Sequence, residues 1–235
     1  AVALAQMGAD VAVTGTGRDP ATFPNDEKAV SWRDVHSTAA QVEALGRRAL
    51  PLVFDVTDAD AVQNAVASVV EQLGRVDILI NNAAGNFVCP AERMSSNAWR
   101  AVLGIVLDGT FYCSKEFGKQ MMAEGEDGAP RGGAMVNIIA TYAWTGMPGV
   151  VHSASAKAGV LAMSKTLAVE WARFGIRNNC VAPGPFESDG AKQNLWPSEE
   201  VEQRIRESVP LQRFADRKEV AAQVLWLASD AAAYV

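Results

Sequence analysis

The segment NIIATYAWTGMPGVVHSASAKAG, residues 137–159, contains a predicted strand, a loop and the start of a helix in direct succession. Its first residues continue an apolar run, as in a parallel strand that is covered on both faces. The loop carries a lone Tyr142, and the helix presents Ser153 and Lys157 four residues apart, on one face. Fifteen positions separate Tyr142 from Lys157, so only a loop that folds back brings the two together.

The same order of strand and helix recurs along the chain. Apolar, β-branched runs predict strands at 10–13, 50–56, 76–81, 134–139 and 176–182, and helical periods lie at 61–73, 97–122, 154–174 and 217–228. Short connections between them predict right-handed βαβ units. We therefore expect an α/β fold with a doubly wound parallel sheet, in a single domain over residues 1–235.

Two irregular stretches interrupt this alternation. Residues 15–37 are polar with two prolines and predict a solvated insert, whereas the Gly- and Pro-rich residues 184–198, with the helical stretch after them, predict a lid over about 184–206. The sequence begins as the back half of a helix and stops where a further strand is expected. We therefore expect the first strand with its Gly-rich phosphate turn, and the last strand, to be missing from this sequence.

Composition excludes several classes of protein. The 235 residues are 49% hydrophobic and 20% charged, with a formal charge of −6, which is typical of a globular protein and argues against a nucleic-acid partner. No apolar run approaches the roughly 18 residues of a membrane span, and the first residues lack a basic signal-peptide start, so we expect a cytoplasmic protein without a membrane partner. Three cysteines and two histidines, widely spaced, predict reduced thiols and no metal site.

Polar residues follow three of the predicted strands. NNAAGNF, residues 81–87, follows one strand, Tyr142 follows the next, and Pro183, Gly184 and Pro185 follow the last. Ligands of α/β proteins bind at the carboxyl ends of parallel strands, so we expect these three segments to converge.

Four motifs in this order, NNAAG, IVLDGTF, SASAKAG and NCVAPGP, resemble the short-chain dehydrogenase/reductase family over essentially the whole chain. The resemblance implies a Rossmann-like fold. The family's usual site has a Ser after the fifth strand, a Tyr four residues before a Lys, and an Asn in the long preceding helix. Here those places hold Ala140, Ser153 and Asp108, and only Lys157 remains. Because a serine is a poor acid, the ordinary carbonyl-reducing site is disabled.

One branch of the family resembles this chain at these positions. The 2,4-dienoyl-CoA reductases carry NNAAGNF, SASAKAGV and a loop tyrosine fifteen residues before the lysine, and GIRNNCVAPG and VVHS resemble peroxisomal trans-2-enoyl-CoA reductases. The resemblance implies an NADPH-dependent reduction of a conjugated double bond in an enoyl- or dienoyl-CoA, or another acyl thioester. Hydride addition places negative charge on the thioester oxygen, which requires hydrogen-bond donors.

The resemblance also assigns roles to the catalytic candidates. Tyr142 and Asn86 would be the donors to the thioester oxygen, with Ser153 in support. Lys157 would hold the ribose of the nicotinamide, and Asp108 would occupy the helix position next to the site.

Each of these residues has a plainer alternative interpretation. Tyr142 is otherwise an ordinary loop aromatic, Ser153 is otherwise the N-cap of its helix, and Asp108 with Gly109 either kinks the long helix or lies in solvent. His152 is either a base or a residue that lines the loop. The alternative functions are 3-oxoacyl-thioester or alcohol oxidoreduction and a non-catalytic NADP-binding module.

The resemblance predicts cofactor contacts in three places. Asp55 and Val56 match the pair that contacts adenine. Asn82 and Ala83 match residues beside the adenosine ribose, and Pro183 and Gly184 match those beside the nicotinamide. Arg18 follows the second strand of the expected sheet without a preceding acidic residue, which favours the 2′-phosphate of NADP over NAD.

A homotetramer is implied as well. The two long helices carry large apolar side chains on more than one face, and such helices need a partner. In the family these helices pair across subunits. The side chains concerned are Trp99, Phe111, Phe117, Leu161, Leu167 and Trp171.

Overall fold

The computed structural model describes residues 1–17, 34–186, 195–196 and 198–235. These residues form two compact units, Ala1–Val76 and Asp77–Val235. The predicted single domain over 1–235 remains a prediction.

The first unit contains a two-stranded parallel sheet with helices between and after its strands. Its elements are α1 (Val2–Gln6), β1 (Val11–Gly15), α2 (Val35–Glu43), β2 (Ala49–Val53) and α3 (Ala59–Leu73). The buried residues Ala5, Val11 and Val42 join α1, β1 and α2 in one apolar cluster. The prediction of a helix before the first strand is therefore confirmed.

The prediction of a solvated insert over 15–37 is wrong for its last residues, which form the start of a helix. Val35 is buried and begins α2, and Asp34 caps this helix by accepting a hydrogen bond from the Ser37 N–H at 2.7 Å. Asp and Ser three residues apart form a capping box, which is a local signal for a helix start. Residues 18–33 of the insert, including Arg18, lie outside the described residues.

The second unit contains a three-stranded parallel sheet in the order β3 (Ile78–Asn81), β4 (Gly133–Ile138) and β5 (Ile176–Val181). Asn81 pairs with Asn137, and Ile138 pairs with Val181, so all three strands end at the same edge. All strand pairs of both units are parallel, and helices alternate with strands, which confirms the α/β prediction.

The helices of the second unit differ from the prediction in two places. The long helix expected at 97–122 is interrupted by a π-helical turn, Gly104–Asp108, which separates α4 (Ser96–Leu103) from α5 (Gly109–Met122). The loop after β4 contains a short helix, α6 (Tyr142–Thr145), before α7 (Val151–Trp171). The other described helices of this unit that are longer than one turn are α8 (Glu199–Ser208) and α9 (Arg217–Ala228).

A glycine allows the π-helical turn to approach α7 closely. A Cβ atom at Gly159 would lie 2.9 Å from Leu107 Cδ1, so a larger residue at 159 would require the Leu107 side chain to move. Around this contact, Val102, Val106, Ile139, Ala156 and Val160 form a buried apolar cluster. Residues of the SASAKAG segment, 153–159, therefore help to pack α7 against the π-helical turn.

Asparagines from all three strands form a hydrogen-bonded ladder through the sheet of the second unit. Asn81 Nδ2 donates to Asn137 Oδ1 at 2.7 Å, and Asn137 Nδ2 donates to Asn178 Oδ1 at 2.8 Å. Two serines extend the ladder to the flanking helices, because Asn81 Nδ2 also donates to Ser114 and Asn137 Nδ2 to Ser164. Buried amides require such partners, and the ladder fixes the strands side by side just before the edge where they end.

The cysteines show no disulfide. Cys89, Cys113 and Cys180 are free, and burial raises the pKa of the Cys113 thiol to about 11, which leaves it protonated and unreactive. Among the described residues, no helix is long and apolar enough to cross a membrane.

Candidate active site

The carboxyl ends of the three strands in the second unit carry the candidate site. The segment with Asn86 follows β3, Tyr142 follows β4, and Pro183 and Gly184 follow β5. Tyr142 is half-buried and begins α6, so it belongs to a helical turn and not to an irregular loop.

The Tyr142 hydroxyl lies between two polar side chains. Asn86 Nδ2 donates to Tyr142 Oη at 3.2 Å, and Ser153 Oγ lies 3.1 Å from the same oxygen, where either hydroxyl can donate. The structure therefore brings together three of the five catalytic candidates. The loop does fold back toward α7, as the spacing of Tyr142 and Lys157 requires.

The orientation of the Asn86 amide is determined by its neighbour. The Phe87 N–H donates to Asn86 Oδ1 at 2.9 Å, so the carbonyl oxygen of the amide faces the backbone and the NH2 group faces Tyr142. In this arrangement the part of the Asn86 amide that faces the phenol oxygen is a hydrogen-bond donor. Asn86 Nδ2 retains a second hydrogen that this contact does not use.

Ser153 lies inside α7. The helix begins after Val150, which has no side-chain cap, and the Ser153 side chain is buried with 1% of its surface exposed. The alternative that Ser153 is the N-cap of this helix is therefore wrong. The hydroxyl that would cap a helix start faces Tyr142 instead.

Lys157 lies one turn after Ser153 and is also buried, with 6% of its surface exposed. Its ammonium donates to the carbonyl oxygen of Ile138, the last residue of β4. Burial lowers the pKa of Lys157 to about 8, and the nearby Cys180 thiol opposes this shift. A buried ammonium with one hydrogen bond to the described residues retains two donors for a polar ligand.

Asp108, like Lys157, is a catalytic candidate that no hydrogen bond joins to the tyrosine. It is the last residue of the π-helical turn, its side chain is exposed, and no hydrogen bond joins it to Asn86, Tyr142 or Ser153. The exposed side chain agrees with the alternative that Asp108 lies in solvent, and the π-helical turn that ends at Asp108 widens the helix locally. A catalytic role for Asp108 remains a prediction.

The cofactor candidates fall into both units. Asn82, Ala83, Pro183 and Gly184 lie in the second unit, beyond the ends of β3 and β5. In the first unit, Asp55 accepts hydrogen bonds from the Thr57 N–H and hydroxyl at 2.9 and 2.8 Å, which closes a turn beside Val56. These contacts explain the local shape of the backbone, and the cofactor roles remain predictions.

Sequence reasoning missed the surroundings of His152. This side chain is fully buried, and its ring lies 4.5 Å from the Phe87 ring in an edge-to-face arrangement. Neither ring nitrogen has a hydrogen-bond partner of ordinary geometry among the described residues. Burial lowers the pKa of His152, while the backbone of Val150 opposes the shift, and nothing in this arrangement supports a role as a base.

Comparison with known proteins gives consistent relatives. A family model described as "Enoyl-(Acyl carrier protein) reductase" matches residues 1–235. A Bacillus subtilis protein named "Probable 2,4-dienoyl-CoA reductase [(2E)-enoyl-CoA-producing]" is 39% identical over 232 residues, which cover 98% of this chain and 84% of that protein. A Danio rerio protein named "Peroxisomal 2,4-dienoyl-CoA reductase [(3E)-enoyl-CoA-producing]" is 43% identical over 190 residues, 81% of this chain and 61% of that protein.

The fold has a solved counterpart. The crystal structure of a short chain dehydrogenase from Bacillus anthracis matches with a TM-score of 0.80 at 42% sequence identity, and the match covers 100% of this chain and 84% of that one. This likeness confirms the prediction of a Rossmann-like fold. The predicted resemblance to dienoyl-CoA reductases is confirmed by the relatives' names.

The buried lysine predicts a stability that depends on pH. The folded protein releases the Lys157 proton near pH 8, whereas an ordinary lysine in the unfolded chain keeps it to about pH 10.5. The unfavourable burial of the charge is therefore fully present below pH 8 and is relieved between about pH 8 and 10.5. In urea denaturation at pH 7, Lys157→Met should raise the free energy of unfolding by roughly 1–3 kcal/mol, and this gain should shrink as the pH approaches 10.5.

The matched control is Lys165→Met, the same substitution at an exposed position of α7. We expect it to change the free energy of unfolding by less than about 0.5 kcal/mol at every pH. A destabilised Lys157→Met protein at pH 7 would contradict the prediction, because it would mean that the hydrogen bond to Ile138 outweighs the desolvation of the ammonium.

Proposed function

We propose that this chain, which belongs to the short-chain dehydrogenase/reductase family of oxidoreductases, reduces a conjugated carbon–carbon double bond of an enoyl- or dienoyl-CoA with NADPH. The observation that carries the proposal is the Tyr142 hydroxyl held between Asn86 and Ser153. In carbonyl reductases of the family the tyrosine lies four residues before the lysine, but here that position holds Ser153. The hydroxyl of Tyr142 comes instead from the segment after β4, as in the dienoyl-CoA reductases that this chain resembles, and this supports double-bond reduction.

The hydrogen bonds around Tyr142 support a role as the donor to the substrate. When both Asn86 and Ser153 donate to Tyr142 Oη, the two acceptor positions of the phenol oxygen are filled and its single proton is left for an outside acceptor. That acceptor is the thioester oxygen, which becomes negatively charged as the conjugated system accepts electrons. A donor fixed before the reaction needs little reorganisation when the charge develops.

The residues present fit a nicotinamide cofactor. When bound, NADPH supplies the hydride that the substrate accepts. Lys157 would hold the ribose hydroxyls with the two donors that Ile138 leaves unused, and its positive charge would favour the developing anion. The substrate carbon then takes a proton from water, so the double bond gains one hydride and one proton. No strong acid is required at position 153.

Further cofactor contacts follow from the resemblance. In the second unit, Asn82 and Ala83 would lie beside the adenosine ribose, and Pro183 and Gly184 beside the nicotinamide. In the first unit, Asp55 and Val56 would contact the adenine. Preference for NADP over NAD rests on Arg18 in the sequence.

A homotetramer in the cytoplasm completes the proposal. Phe111 and Val169 on α5 and α7 expose 45% and 81% of their surfaces, which supports a partner for these helices. Phe117 and Leu167, also named above for this role, are instead buried within the chain.

A panel of substrates tests the proposed reaction. We expect loss of NADPH absorbance with 2,4-dienoyl-CoA or trans-2-enoyl-CoA, and little with 3-oxoacyl-CoA of the same chain length, because the site lacks the hydroxyl acid of a carbonyl reductase. Turnover of the 3-oxo substrate alone would refute the proposal. NADPH binding in a fluorescence titration of the full chain, without turnover of any of these substrates, would favour the non-catalytic NADP-binding module.

Two single substitutions test the role of the tyrosine. Tyr142→Phe should lower kcat by about 10²–10³, the usual effect of losing one oxyanion donor, and Ser153→Ala should lower it less because Ser153 acts on Tyr142 rather than on the substrate. Tyr112→Phe on α5 is the matched control and should remain close to wild type. Equal, mild effects at positions 142 and 153 in steady-state assays would remove Tyr142 from the mechanism.

A further inference from the structure

The two residues that form hydrogen bonds with the Tyr142 hydroxyl come from separate parts of the second unit. Asn86 lies in the segment after β3, and Ser153 lies in the first turn of α7. Their chain neighbours, Phe87 and His152, are in ring-to-ring contact with centroids 4.5 Å apart and planes at 63°. The contact therefore joins the two segments directly beside the residues that hold the tyrosine.

Phe87 controls Asn86 through its backbone. Its N–H donates to Asn86 Oδ1 at 2.9 Å and so turns the NH2 group toward Tyr142. The Phe87 ring also packs against the buried cluster that includes Val106 and Ala156. A ring held on two sides limits the movement of the backbone that orients Asn86.

His152 is placed for packing. It is fully buried, and an edge-to-face contact is a preferred geometry for two aromatic rings. Both ring nitrogens lack an ordinary hydrogen bond to the described residues, and burial lowers the pKa of His152, so the ring is neutral at pH 7. A phenylalanine at 152 would retain the edge-to-face contact with Phe87, whereas a leucine would fill the space without a ring.

A backbone contact shows that the two segments run side by side. The Cys89 N–H donates to the Gly149 carbonyl at 2.8 Å, and a Cβ at Gly149 would lie 2.9 Å from Val88 Cγ1. This contact joins the two segments at one end, and the hydrogen bonds of Asn86 and Ser153 with Tyr142 join them at the other. The Phe87–His152 pair lies between these two closures along the chain.

We propose that Phe87 and His152 are positioning residues, whose ring contact keeps Asn86 and Ser153 on opposite sides of the Tyr142 hydroxyl. The proposal rests on the proposed function, because it assigns the pair a role in the same site. Loss of either ring lets one donor leave the phenol oxygen, and the Tyr142 proton is then no longer directed at the substrate. Cofactor binding does not depend on the pair.

Kinetics in two backgrounds test this role. Phe87→Leu and His152→Leu should each lower kcat by about tenfold with the KM for NADPH unchanged, because a loosely held catalytic group reacts less often. In the Tyr142→Phe background the same substitutions should cost almost nothing further, since their effect passes through the missing hydroxyl. An equal fold-loss in both backgrounds would overturn the proposal, as would a raised KM for NADPH with kcat unchanged.

Two controls separate packing from proton chemistry and from general damage. His152→Phe keeps an aromatic ring without nitrogens and should retain most of the wild-type kcat, with the same pH profile. A His152→Phe protein as slow as His152→Leu would contradict ring packing as the cause. Phe174→Leu, at the far end of the helical segment that contains α7, makes the same substitution away from the site and should leave kcat unchanged.

A measurement without substrate or cofactor keeps this proposal separate from the proposed function. The chain has three tyrosines, so protein labelled with 3-fluorotyrosine gives few 19F resonances, and Tyr142→Phe identifies the one from Tyr142. We expect Phe87→Leu and His152→Leu to broaden or split that resonance and leave those of Tyr112 and Tyr234 unchanged. A Tyr142 resonance as sharp and single as in wild type would overturn the positioning role, whatever substrate the enzyme reduces.

Discussion

The polar side chains of the candidate site meet at one phenol hydroxyl, that of Tyr142. Tyr142 Oη accepts a hydrogen bond from Asn86 Nδ2 at 3.2 Å and lies 3.1 Å from Ser153 Oγ, where either hydroxyl can donate. In the proposed mechanism Ser153 is the donor of the second hydrogen bond, and the Tyr142 proton faces the substrate oxygen. The rest of the second unit can be understood as the structure that keeps this hydroxyl in place: parallel strands that end together, a short helix for the tyrosine and a long helix for the serine.

The charged Lys157 side chain forms its hydrogen bond at the same strand edge. Ile138, the last residue of β4, accepts a hydrogen bond from the buried Lys157 ammonium, and the preceding residue, Asn137, joins the neighbouring strands through side-chain amides. A buried lysine whose pKa is lowered to about 8 makes the fold less stable at neutral pH. In the proposed function this loss of stability is accepted because the positive charge of Lys157 favours the developing anion.

The sequence predicted the strands and helices and the residues of the site better than their contacts. Apolar runs predicted each described strand within a few positions, and the spacing of Tyr142 and Lys157 required a loop that folds back, because these signals are local. The contact of His152 with Phe87 had no such signal: the two residues are far apart in sequence and touch only because two strand ends are adjacent. The position of Ser153 inside α7 likewise depends on tertiary packing, since the sequence also allowed Ser153 to be the N-cap of this helix.

The most direct test is a competition in which the enzyme receives equal amounts of 2,4-dienoyl-CoA and 3-oxoacyl-CoA with NADPH that carries deuterium at the transferred position. Mass spectrometry of the products then locates the label. The account predicts deuterium on a carbon of the former conjugated double-bond system, with the 3-oxo compound recovered unlabelled. Deuterium in a 3-hydroxyacyl-CoA, with the dienoyl compound unchanged, would contradict it, because the site would then be reducing a carbonyl.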